Sequence, residues 1–153
     1  MFQMYRSPSL NKLQSFAFFL LRVVAGFIFS FHGMQKLLGW FGKPVSGFGL
    51  PMVAGYIELF GGLLIMLGLF TSLTAFIASG EMAVAYWMVH FRRGHLPIQN
   101  GGELAVMLCF VFLFLFSLGG GPWSLDRVFF GKRALRSQTA NEEAESPVYA
   151  GER

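Results

Sequence analysis

Arg22, His32, Glu58 and Glu81 stand inside long apolar runs, and Lys36, His90 and Glu103 stand near the ends of such runs. A charged side chain near the centre of a bilayer costs about 2.5–3.5 kcal/mol even on the gentler insertion scales, so each of these residues needs a reason. One reason is structural, an ion pair that locks helices together. The other is a site for protons, electrons or a polar headgroup. Carboxylates and imidazoles walled by apolar groups exchange protons near working pH. A quinone ring needs hydrogen-bond donors at its two oxygens, an apolar slot for its tail and a proton acceptor when its reduced form is oxidised. His32, Lys36 and Glu58, with Phe29, Phe31 and Trp40 near them, supply all three, and Glu103 adds a carboxylate at the rim. The same set suits a lipid headgroup, or satisfies itself. Haem would require His32 and His90 at one depth; the two differ by up to about two helical turns, so haem is disfavoured. Cys109 is the single cysteine, which excludes CxxC relays and thiolate metal centres, and no metal site is expected.

Four apolar segments must position these groups: residues 14–38, 52–70, 73–90 and 103–118. Each is near the ~20 residues that cross a ~30 Å hydrocarbon core, and in lipid every backbone amide must bond within its own segment, so helices are expected. At about 100° per residue, Arg22, Gly26, Phe29, Gly33 and Lys36 share one face of the first helix. Glu58, Gly62, Ile65 and Leu69 share one face of the second, and Thr74, Ile77, Glu81, Ala85 and Met88 one face of the third. Small residues on charged faces allow close helix approach, so the charges should point inward. Arg22 and Glu81 both lie about 12 Å in from the same side at 1.5 Å per residue, which predicts an Arg22–Glu81 intramembrane pair. His32 and Glu58 lie about 9 Å in from the other side.

The chain has 153 residues, 54% hydrophobic and only 13% charged, against roughly 25% charged in a soluble domain. A soluble enzyme is thereby excluded. The net charge of +4 sits mostly in tails and loops, which speaks for membrane orientation and against nucleic acid. With four spans, Arg6, Lys12, Arg127, Lys132, Arg133, Arg136 and Arg153 fall on one side, and Lys36, Lys43, Arg92 and Arg93 on the other. That excess predicts both termini in the cytoplasm of a multi-pass inner (plasma) membrane protein. The first apolar run is too long for a signal peptide and no cleavage pattern follows it. The GWFG stretch of the first loop suits the headgroup level. The expected organisation is an all-α, antiparallel four-helix transmembrane bundle over residues 14–130, with a cytoplasmic tail over 1–13 and a disordered tail over 131–153.

HGxxK (His32, Gly33, Lys36), the GWFG after it, ELFGGLLIMLGLFT from Glu58 to Thr71, EMAVAY from Glu81, GGELA from Gly101 and GPWSLDR ending at Arg127 occur in that order. In these motifs the chain resembles the DoxX family over essentially the whole membrane part. The resemblance implies a small four-helix bacterial inner-membrane protein. Named members are subunits of a terminal quinol oxidase and of a thiosulfate:quinone oxidoreductase, and another links a superoxide dismutase and a sulfurtransferase. The family brings no agreed catalytic residues. The expected function is that of a subunit of a respiratory or thiol/sulfur redox complex that interacts with membrane quinone through His32, Lys36, Glu58 and Glu103. The alternative is a small-solute or proton permease, which would need to oligomerise, or a scaffold anchoring soluble oxidoreductases.

Overall fold

The computed structural model describes residues 8–42 and 44–130. The tail expected over 131–153 lies outside the described residues. Helix α1 (Pro8–Leu38) begins inside the stretch read as an N-terminal tail. Helix α2 (Leu50–Leu67) opens with proline in its first turn, where the missing N–H costs nothing. It stops at Gly68, held in the left-handed region at φ 69°, which only glycine adopts without penalty. The N–H groups of Gly68 and Leu69 then close the helix on the carbonyls of Ile65 and Leu64. Helix α3 (Thr71–Ala85) follows at once and runs into a π turn, Tyr86–His90, and a 3-10 turn, Phe91–Arg93. A single-turn helix, α4 (Pro97–Asn100), precedes α5 (Glu103–Leu118). A last helical turn covers residues 125–130. Everything regular among the described residues is helical.

Among the described residues three helices are long and apolar enough to cross a membrane: Lys12–Leu38, Leu50–Leu67 and Thr71–Arg93. Helix α5 is equally apolar and shorter, at 16 residues.

Two helix pairs make up the molecule, α1 on α2 and α3 on α5. Along α1 the partners on α2 come in reverse order: Arg22 meets Ile65 and Met66, Gly26 meets Gly62, and Lys36 meets Glu58. The approach is backbone to backbone. A Cβ on Gly26 would lie 2.6 Å from the Gly62 carbonyl oxygen, and one on Gly33 would collide with the backbone of Leu59. This is the small-residue packing that membrane helices use in place of a hydrophobic drive. In the other pair the Ser79 hydroxyl donates to the Cys109 carbonyl at 2.9 Å. The pairs meet in a buried apolar layer that includes Phe29, Ile65, Ala78, Phe112 and Leu115, with Phe29 and Phe112 edge to face at 4.7 Å. Phe60, Phe76 and Phe110 point outward and are more than half exposed.

The charged faces of α1 and α2 turn inward as their phase predicts: Arg22, Gly26, Phe29 and Gly33 are buried, and so are Glu58, Gly62 and Ile65. Helix α3 differs. Its core face is Thr71, Ala75, Ala78 and Met82, while Ile77 and Met88 of the expected inward face are exposed. The charge on α3 therefore looks along the gap between the helix pairs rather than into the core.

Candidate functional site

At one end of the molecule the two pairs part and leave a cavity of about 840 Å³ between the C-terminal half of α1, the first turns of α2, the second half of α3 and the start of α5. Its wall is mostly aliphatic, and six ionisable side chains line it: His32, Lys36, Glu58, Glu81, His90 and Arg92.

Gly33 is what makes the centre of this site possible. Because α1 touches the α2 backbone there, Lys36, less than one turn further on, reaches across to α2. Its Nζ donates to Glu58 Oε1 at 2.8 Å. The Glu58 side chain is 3% exposed and that of Lys36 29%, so the carboxylate is sealed and the ammonium leads outward. Glu58 Oε2 is buried without a hydrogen-bond partner, and so is Glu81 Oε2. Glu81 feels the charges of both Glu58 and Lys36. His32 is half-buried, one turn before Lys36, and also lines a second, smaller aromatic cavity of about 270 Å³ with Phe27, Phe31 and Phe41.

His90 reaches the same cavity as Glu81 although nine residues of regular α-helix would put them on opposite faces. The π turn over Tyr86–His90 explains this. A wide turn absorbs about one extra residue, which cuts the separation from about 180° to about 80°. The His90 ring is then steadied by its Nδ1 contact to the Asn100 carbonyl at 3.3 Å. Nothing in the type or spacing of Asn100 marks it in the sequence, yet it organises the turn between α3 and α5. Its Nδ2 donates to the Gly94 carbonyl and its Oδ1 accepts from the Gly102 N–H, both at 2.8 Å. Arg92, in sequence only a loop charge, also lines the cavity.

Two expectations are corrected. Arg22 and Glu81 do not pair. The Arg22 guanidinium, 1% exposed, donates from Nη1 to the carbonyls of Ile65 (2.6 Å) and Met66 (2.7 Å) and from Nη2 to that of Trp123 (2.7 Å). The Ile65 and Met66 carbonyls lie in the last turn of α2, so Arg22 sits level with the α2–α3 turn. Glu81 lies ten residues into α3, about 15 Å further along. The apolar runs do not start at one level, because the first turns of α1 extend past this turn, where Phe16 and Phe19 pack on Trp123. Among the described residues the ion pair is Lys36–Glu58 instead. Glu103 is the second correction: it is exposed in the first turn of α5 and does not line the cavity. Its carboxylate stands at a helix N-terminus, which favours negative charge without any ligand.

The GPWSLDR segment also has a structural role. Asp126 accepts from the N–H groups of Phe70 (2.6 Å) and Thr71 (2.9 Å), capping α3, and its own N–H donates to the Gly68 carbonyl at 2.8 Å. Ser124 Oγ accepts from the Arg127 N–H at the start of the last helical turn. Together with the Arg22–Trp123 bond, this strap ties the middle of α1 to the end of α2 and the start of α3.

Apolar helices that expose large side chains outward and keep ionisable groups at one internal cavity define a small all-helical membrane protein. The DoxX family model matches residues 17–91. An uncharacterized protein of Haemophilus influenzae is 40% identical over 132 residues, covering 81% of this chain and 98% of that protein. The chain belongs to the DoxX family. No solved structure matches it.

Proposed function

We propose that the protein is a quinone-interacting subunit of a respiratory or thiol/sulfur redox complex in a bacterial inner membrane. In this reading α1, α2, α3 with its extension, and α5 cross the bilayer as an antiparallel four-helix bundle. Both termini and the Arg22–Asp126 end face the cytoplasm, and the cavity lies in the outer half. The observation that carries the reading is the cavity itself, large enough for a ring and part of a tail. Its aliphatic wall gathers an ammonium, an imidazole and two carboxylates at one end. Pockets of about 300–1,000 Å³ with a few convergent polar groups are the usual small-molecule sites.

The residues fit a quinone head. Lys36 has N–H groups beyond the one given to Glu58, and His32 adds a ring nitrogen, so both can serve a ring oxygen. Glu58 and Glu81 each present a buried oxygen without a partner. A bound quinone would supply two-electron, two-proton chemistry. Val53, Ile77, Val84 and Met88 line the cavity and are exposed, and in this reading the space opens between α2 and α3 towards lipid. A lipid-soluble ligand is the natural occupant of such a mouth. The apolar layer of Phe29, Ile65, Phe112 and Leu115 lies between the cavity and Arg22, which favours a closed-ended site over a permeation path.

Purified protein extracted for bound quinone, followed by titration with a short-chain naphthoquinone, tests the reading. Binding that weakens by about tenfold or more in Glu58→Gln and His32→Ala, with expression intact, is the expected result. Wild-type affinity in both variants removes the site. Soluble oxidoreductases that co-purify with protein unable to bind quinone would point to a scaffold.

A further inference from the structure

We infer that the cavity selects the reduced, dihydroxy form of its ligand over the quinone, with Glu58 and Glu81 accepting the hydroxyl protons in hydrogen bonds. The inference rests on the quinone reading above and names which redox form the site is built for. Glu58 is 2% exposed and lines the cavity, and Lys36 occupies only its Oε1. Its Oε2 and that of Glu81 are buried without hydrogen-bond partners, on two residues that line the same cavity. A carboxylate held by the Lys36 ammonium, as Glu58 is, only accepts, and so does a quinone carbonyl. A quinone oxygen brought to this wall sets lone pair against lone pair and leaves both acceptors unsatisfied. A hydroxyl donates to the carboxylate and still accepts from Lys36 or His32. Sites built to pair with a ligand hydroxyl reject the analogue that lacks it, because their own buried groups are then stranded.

The test uses the full chain in lipid nanodiscs under anaerobic conditions. Calorimetry compares three ligands with the same ring and isoprenoid tail: the naphthoquinone, its dihydroxynaphthalene and the dimethyl ether of the latter. The dihydroxy ligand should bind about tenfold or more tightly than either of the others. In Glu81→Gln, whose amide can donate to a carbonyl, the preference should shrink to about threefold or less, with thermal stability recorded alongside. Equal or tighter binding of the quinone overturns the inference and leaves the quinone reading standing. Equal binding of the dimethyl ether also overturns it, since that ligand has no proton to donate. Failure of all three ligands to bind removes both readings.

Discussion

Lys36 and Glu58 show how one residue can hold a charge in an apolar setting for another. The carboxylate is sealed and the ammonium half-emerges, so the pair neutralises Glu58 while keeping donors free at the cavity. Removing one member of a buried pair costs about 3–5 kcal/mol because the other is left alone. Lys36→Met should therefore lower unfolding stability in detergent by about 3 kcal/mol, and adding Glu58→Met should cost less than the two single losses summed. Strict additivity in that double-mutant cycle would mean the pair does not couple. Arg22 invites a different measurement. Each hydrogen bond from a charged donor contributes about 1.5–3 kcal/mol. Arg22→Leu should lower the melting temperature, and Arg22→Lys should not restore it, since one ammonium cannot span carbonyls on two segments. The folded fraction of either variant should bind ligand normally. Residue types announced every one of these buried charges, but not their partners. Pairing depends on where helix ends fall relative to one another, and an offset of about ten residues along α3 separates Arg22 from Glu81 and leaves it to the α2 carbonyls.

Helices were the most legible elements, because long apolar runs with small residues at charged faces have few other solutions. What the sequence hid was the π turn at Tyr86–His90, which needs no special composition and yet brings His90 to the cavity. It also hid the sideways gaze of Glu81, since the phase of α3 alone cannot distinguish a core from the space between two helix pairs. At this scale the α1–α2 contact is the element to disturb. Gly33→Val places a methyl-bearing carbon into the Leu59 backbone and should push the helices apart, separating Lys36 from Glu58. The expected outcome is normal membrane insertion with lost ligand binding. Gly80→Ala is the control: a Cβ there meets nothing within 4 Å, so stability should stay within about 1 kcal/mol. A Gly33→Val protein that binds as wild type would show that the close approach is not what builds the site.

At the scale of the whole molecule the proposed orientation is the quantity to measure. The excess of Lys and Arg on the side of the termini is modest, and much of it lies outside the described residues. With Cys109 as the single native cysteine, a Cys109→Ser background permits single reporters. Ser46→Cys and His95→Cys should react with an impermeant maleimide in intact cells, whereas Ser72→Cys should react only after lysis. The reverse pattern would place the cavity in the inner half of the bilayer. The strap formed by Trp123 and Asp126 bears on how such a chain is made. A ribosome delivers α1 and α2 to the membrane long before residue 126, so Arg22 waits without its Trp123 acceptor and the start of α3 waits without its cap. Nascent chains halted before the strap emerges should insert yet stay open to proteolysis, and resistance should appear once Asp126 has reached the N–H groups of Phe70 and Thr71.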